Sequence, residues 1–166
     1  MPAARARTTL TIMAIRRASP ADWSAIRAIR IAALTEAPYA FASNLARELP
    51  YDEDHWRSWP LRHAVFLAFD GDEPVAISVG IPGDEVEMIS VWTAPAARGT
   101  ALATEMVETV VAWAKAEGAT AVKAWVVETN PRARRFYDRL GFRPTGEEMA
   151  YPNDPAITEY HLSRPL

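Results

Sequence analysis

Residues 85–109 read EVEMISVWTAPAARGTALATEMVET, and the fold turns on how this stretch divides. Glu85 to Thr93 reads as a largely apolar strand. Pro95 punctuates the loop after it, because proline lacks an N–H and has a fixed φ. Arg98 and Gly99 lie where the chain turns. Leu102, Met106, Val110 and Ala114 then recur at helical spacing, with Glu105, Glu108 and Lys115 off that stripe. A loop that feeds a helix N-terminus presents unpaired N–H groups and a partial positive charge. That geometry suits a phosphate or pyrophosphate. It also serves as a plain strand-to-helix connection, its commoner use, so two readings of the turn stand at this point.

Outward from this stretch, on its N-terminal side, Ala64 to Phe69 and Pro74 to Ile81 are apolar runs. Asp70-Gly71-Asp72-Glu73 joins them as a hairpin turn, and Pro82-Gly83-Asp84 is a second tight turn. These strands form an antiparallel meander. On the C-terminal side Gly118 closes the helix, and Ala121 to Val127 is a further apolar strand. A helix separates it from Glu85–Thr93, so the two strands should be parallel in a right-handed crossover. Asn130-Pro131 opens a short helix through Leu140, closed by Gly141. Phe142 begins a last strand, which Ile157 to Leu162 pairs with. Near the N-terminus Met13 to Arg17 reads as a first strand. Ser19-Pro20-Ala21-Asp22 then starts a helix with the stripe Trp23, Ile26, Ile29 (or Arg30 beside it), Ala33 and Leu34, and Pro38 stops it. A weaker helical stretch, broken by Pro50, runs from Leu45 to Trp59. The order predicts an α/β (α+β) fold: one mixed sheet of six to seven strands flanked by four helices, with a splayed parallel pair. Openings at the carboxyl ends of such strands are where α/β proteins bind ligands. Arg98-Gly99 and Glu128-Thr129-Asn130 both fall at that end.

The chain of 166 residues makes one domain, expected over residues 13–166. Residues 1–12, MPAARARTTLTI, are small and basic, without the apolar core of a secretory signal, and read as a mobile tail. A transit peptide fits the same composition. Hydrophobic residues make up 49% of the chain, and the net charge of −3 supplies no basic face for nucleic acid. No cysteine is present, which excludes disulfides, thiolate metal sites and a cysteine acyl-enzyme. No apolar run approaches the ~20 residues of a membrane span. His55, His63 and His161 lack ligand spacing, so no metal site is expected. The expectation is a cytoplasmic protein, monomer or homodimer, with neither nucleic acid nor membrane as partner.

Three motifs in order carry a resemblance. Arg98-Gly99-Thr100-Ala101-Leu102-Ala103 is similar to the pattern Q/R-x-x-G-x-G/A. Asn130, Ala133 and Tyr137 fit N-x-x-A-x-x-x-Y, and Leu140-Gly141-Phe142 fits the L-G-F that follows it. With this strand order they resemble the GNAT superfamily of N-acetyltransferases, and the match covers nearly the whole chain from Ile15. The resemblance implies acetyl-coenzyme A (acetyl-CoA) as co-substrate and a small-molecule or peptide amine as acceptor. It implies a cofactor site from Val91, Trp92, Thr93, Arg98, Gly99, Thr100, Ala101, Leu102, Ala103, Thr104, Asn130 and Tyr137. One departure is Ala101, where the family's central glycine lets backbone approach the pyrophosphate. Alanine fits if that position is already helical, with φ below zero.

The implied reaction is direct attack of an amine on the thioester carbonyl, without an acyl-enzyme. The attacking nitrogen must be neutral, whereas a free alkylamine has a pKa of roughly 10.4. Backbone N–H groups near Val91 to Thr93 would polarise the thioester oxygen. Tyr137 fills the family's proton-donor position, beside a purely packing reading of the same aromatic. For the base, Glu87 lies eleven residues before Arg98, the position of the general-base glutamate in the histone acetyltransferase branch. Its other reading is a solvated strand start. With simple alternation, Glu85, Glu87, Ile89, Val91 and Thr93 share one face. Glu128 is a second candidate, and Trp125 stands where the peptide-acetylating branch carries its glutamate. Asp52, Glu53 and Asp54 read either as a solvated helix start or as a rim that attracts a cationic acceptor. The acceptor is expected between the Tyr39–Ser43 loop, the Trp56–Trp59 region and the Glu85–Thr93 strand. Rival readings are a non-catalytic acyl-CoA sensor and a scaffold that has lost the cofactor, both motivated by Ala101.

Overall fold

A computed structural model describes residues 14–166. The expected tail and the expected strand start at Met13 lie outside them. The first strand, β1, is short, Arg16–Arg17. After a 3-10 turn at Pro20–Asp22 comes α1 (Trp23–Glu36), which buries Ile26, Ile29, Ala33 and Leu34 as its stripe predicts, together with Arg30. The single weak helix expected over Leu45–Trp59 is two: α2 (Leu45–Glu48) and α3 (Glu53–Arg62). Pro50 and the N-caps explain the break. The Asn44 side chain accepts from the Arg47 amide, and the Asp52 side chain accepts from the His55 amide.

The strands β2 (Ala64–Asp70), β3 (Glu73–Ile81) and β4 (Glu85–Thr93) form the expected meander. Then α4 (Leu102–Ala116) crosses to β5 (Ala121–Val127), which pairs parallel with β4. Gly118, at φ +79°, ends α4: its amide bonds the Lys115 carbonyl and the Ala119 amide reaches back to Ala114. After α5 (Pro131–Arg139), the hairpin of β6 (Arg143–Tyr151) and β7 (Asp154–Pro165) completes one seven-stranded mixed sheet. Its order is β1-β2-β3-β4-β5-β7-β6. The final strand, β7, lies between β5 and β6, so β6 is an edge of the sheet.

Two apolar clusters cover the two faces of the sheet. Val65 and Leu67 of β2 point into a cluster with α1, Trp56 and Trp59, whereas Ala64, Phe66 and Ala68 point into one with α4, Tyr137 and Phe142. This is the period-two alternation of a strand buried on both faces. Trp113 of α4 packs so closely on β3 that a Cβ at Gly80 would lie 2.5 Å from its ring. None of the described helices is long and apolar enough to cross a membrane.

Candidate active site

The parallel pair opens where the sequence places the turn residues. The β4–β5 ladder holds only Glu85, Glu87 and the residue between them, opposite Ala121 to Lys123. Beyond it, Val91 to Thr93 have no partner on the β5 side. The opening begins at a bulge. Ser90 sits at φ +55°, and the β3–β4 register slips by one residue beside it. A left-handed serine persists only if its surroundings hold it. Here the buried Arg30 does so: its Nη1 donates to Ser90 Oγ at 3.0 Å, while Nε and Nη2 each donate to a Glu48 carboxylate oxygen at 2.8 Å. Burial alone pushes the Glu48 carboxyl up, but the Arg30 hydrogen bonds and charge outweigh it and leave it below its usual range. The bulge also corrects the simple alternation. Ile89 packs on the α1 side of the sheet and Val91 on the α4 side, so Glu87 and Ile89 do not share a face with Val91.

A cavity of about 410 Å³ lies over this opening. Of the expected cofactor residues, Val91, Trp92, Thr93, Arg98, Gly99, Thr100, Ala103, Thr104, Asn130 and Tyr137 line it. Ala101 is exposed at the N-cap of α4, and Leu102 turns its side chain into the core. Gly99 adopts φ +77°, a conformation that favours glycine, whereas Ala101 sits at φ −71° in the helical region, where a Cβ is unstrained. Leu102 N–H meets Thr100 Oγ1 at 3.3 Å. Among the described residues no acceptor takes the amides of Gly99, Thr100, Ala101, Ala103 and Thr104. That row of free donors fits a pyrophosphate. The Arg98 guanidinium is occupied as a brace: it donates to the Thr93 carbonyl at 3.0 Å and to both Glu36 oxygens at 3.1 and 2.8 Å. Those bonds, with one from Trp92 Nε1, outweigh burial and hold the Glu36 carboxyl below its usual range. Asn130 caps α5, its Oδ1 accepting from the Ala133 amide at 3.2 Å.

A second cavity, of about 580 Å³, lies between α2, α3 and the sheet. Ala40, Phe41, Val91 and Tyr137 line both cavities and so form their junction. The Tyr137 ring packs at 5.4 Å from both Phe136 and Phe142, which realises the packing reading. Its hydroxyl has no partner among the described residues, which leaves the chemical reading open as well. Burial pushes this phenol up, so it is protonated at neutral pH and can act there only as an acid. Glu87 lines the larger cavity, as do Phe41, Ser43 and Trp59 of the expected acceptor region. Trp56 is wholly buried core. Glu128 lines neither cavity; its Oε1 accepts from the Thr158 amide at 2.8 Å. The acidic cluster is a helix start: Asp52 caps α3 and Glu53 pairs with Arg57.

Sequence reasoning missed four groups. Arg132 and Arg139, on the cofactor side of α5, line the smaller cavity. Their separation of seven residues was a visible signal, since residues on one helix face recur at three and four. Arg30 stood beside the stripe of α1, but nothing signalled its partners, and Glu159 gave no signal. Glu159, on β7 opposite Val127, is a buried carboxylate on the wall of the larger cavity. Burial, and then the nearby charge of Glu87, push its carboxyl up. Among the described residues no group of acids and histidines is arranged to hold a metal.

Comparison with known proteins agrees with this geometry. Residues 27–142 match the family model described as acetyltransferase (GNAT) family. No curated protein matches the chain. A GNAT-family acetyltransferase from Streptococcus pneumoniae superposes with a TM-score of 0.77 at 16% identity, covering 93% of this chain and 99% of that one. A GCN5-related N-acetyltransferase from Kribbella flavida gives 0.71 at 24% identity, covering 93% and 98%. The protein yncA from Salmonella typhimurium, solved with its cofactor acetyl-CoA, gives 0.73 at 21% identity, covering 93% and 94%. With its parallel pair parted at the family's loop and the family model matching residues 27–142, more than half of the chain, this protein belongs to the GNAT family of acetyltransferases.

Proposed function

We propose that the protein transfers an acetyl group from acetyl-CoA directly to a primary amine. The observation that carries this reading is the junction of the two cavities at Val91 and Tyr137. One cavity offers free amides and arginines for a phosphorylated ligand, the other offers carboxylates for an amine, and they meet at a phenol that keeps its proton. Acetyl-CoA supplies the activated acyl group as a thioester. The amides from Gly99 to Thr104 hold the pyrophosphate, with Arg132 and Arg139 beside them. Donors of Val91 to Thr93 on the open side of β4 receive the thioester oxygen. Glu87 takes the ammonium proton. It lies four residues before Val91, or about 13 Å along an extended strand, so the proton travels through water. Tyr137 gives its proton at the departing sulfur. The helical φ of Ala101, where a Cβ is unstrained, supports the transferase reading over the sensor and scaffold readings.

Thermal unfolding with and without acetyl-CoA tests the cofactor half. A ligand at a hundredfold excess over its dissociation constant stabilises the folded state by roughly 2.7 kcal/mol. Thiol release with an amine panel tests the transferase half. A clear upward shift with no release from any amine would return the protein to the sensor reading. No shift at millimolar cofactor would return it to the scaffold reading.

A further inference from the structure

The larger cavity carries a charge pattern that the transfer reaction alone does not require. Four charged side chains in its lining belong to no ion pair among the described residues: Arg47, Arg62, Glu87 and Glu159. They are segregated. Arg47 on α2 and Arg62 at the end of α3 stand on the helix wall, while Glu87 on β4 and Glu159 on β7 stand on the sheet wall. Arg30 and Glu48 also line the cavity, but they satisfy each other.

Among the described residues the arginines make only neutral hydrogen bonds. Arg47 Nε donates to Tyr51 Oη at 3.3 Å, and Arg62 Nη2 donates to Ser58 Oγ at 3.0 Å. His55 and His63 lie within the field of Arg62. Burial first, and Arg62 second, hold both below the ordinary imidazole value, so they add no charge at neutral pH. His55 Nε2 accepts from Trp59 Nε1 at 3.2 Å, a bond that needs the unprotonated nitrogen.

On the sheet wall, Glu159 sits opposite Val127, at the carboxyl end of β5 where the parallel pair has parted. Run forward from the Glu87–Lys123 pair, with one residue allowed for the Ser90 bulge, the register brings Trp92, within the Val91–Thr93 stretch, level with Val127. Glu159 is therefore the carboxylate level with the reacting centre, and Glu87 lies below it along the strand.

Across the cavity, Glu159 is a buried, unpaired carboxylate and so a poor structural device, while Arg47 and Arg62 are solvent-exposed charges on the opposite wall. They become useful when one ligand bridges them. We propose that the acceptor is a small zwitterion: an amine received at Glu87 and Glu159 whose carboxylate, phosphonate or sulfonate is held by Arg47 and Arg62. This rests on the transferase reading above. Several observations favour a small molecule over a protein amine or a polyamine. The cavity, about 580 Å³, lies within the range of small-ligand pockets. Phe41, Tyr51, Trp59 and Trp125 supply apolar walls between the poles. Two unpaired arginines in the lining repel a second ammonium.

The test is thiol release from acetyl-CoA by the full chain at pH 8. The probes are phenylalanine, leucine, tryptophan, 4-aminobutyrate and 6-aminohexanoate. Each is run beside the matched amine without its carboxylate: phenethylamine, isopentylamine, tryptamine, propylamine and pentylamine. Spermidine and a short peptide with a free N-terminus complete the panel. At least one zwitterion should exceed its matched amine by about tenfold or more in kcat/KM, mostly through KM, as a charge-assisted contact predicts. In Arg47→Gln/Arg62→Gln that ratio should fall towards one, while the acetyl-CoA thermal shift persists as evidence of an intact fold. Matched amines as good as their zwitterions, or turnover confined to spermidine or the peptide, would overturn the inference and leave the transferase reading standing. A full cofactor shift with no turnover of any probe would overturn both.

Discussion

Tyr137 packs in the core, and the proposed reaction gives the same side chain a chemical part. Its ring is part of the core beside Phe142, and burial keeps its phenol protonated far above neutral pH. Its side chain lines both cavities, so the hydroxyl stands where a ligand can use it. Tyr137→Phe keeps the ring contacts and removes only that donor. The variant should unfold at nearly the same temperature and bind acetyl-CoA with little change. Its turnover should fall about 10²-fold or more, the usual range for removing a positioned acid. Steady-state thiol release beside cofactor titration checks this. Unchanged turnover would assign Tyr137 to packing alone.

At the scale of elements, the site is built where β4 leaves β5 and α4 begins. The bulge at Ser90 parts the strands, Arg30 holds the bulge from the helix layer, and the turn to α4 presents its free amides to the opening. Ala101 is the N-cap of α4 and already helical. Alanine is among the poorest N-caps and glycine a better one. Ala101→Gly also removes a Cβ from beside the pyrophosphate amides. The variant should therefore bind acetyl-CoA as well as or better than the parent. Its helix stability should change by less than about 1 kcal/mol, because the cap gain opposes the entropic cost of glycine. Calorimetric titration decides it, and markedly weaker binding in the variant would mean that the alanine methyl is itself a cofactor contact.

In the whole molecule, what was legible in the sequence is what is local. The loop, the Asn130 cap and Tyr137 lie within single strand–turn–helix segments, so short contiguous motifs could carry the family resemblance that implied them. Arg30 reaches Glu48 and Ser90 across 18 and 60 residues, and Glu159 meets Glu87 only through the sheet order. No periodicity encodes those meetings. The same non-local pairing governs how the fold responds to acid. Three arginine–carboxylate pairs clamp α1: Arg16–Asp22 before its first residue at 2.7 Å, Arg30–Glu48 along it at 2.8 Å, and Arg98–Glu36 at its last residue at 2.8 Å. The Arg16 hydrogen bond holds Asp22 down to about 2, and the other two carboxyls are also lowered. A carboxyl depressed in the folded state contributes stability above its unfolded value, near 4, and loses it as pH falls through the folded value. His55 and His63, lowered by burial, act in the same direction below about pH 6.5, because the unfolded chain takes their protons first. Glu159, raised, opposes them as a single group. Urea unfolding should therefore show stability declining from pH 7 and falling most steeply between about pH 4 and 2. Acetyl-CoA affinity should weaken over the same range, because Glu36 protonation frees the Arg98 brace of the pyrophosphate loop. A urea midpoint that stays flat from pH 7 to 3 would mean that the three clamps add nothing to stability beyond solvent-exposed charges, and that α1 is held by its apolar stripe alone.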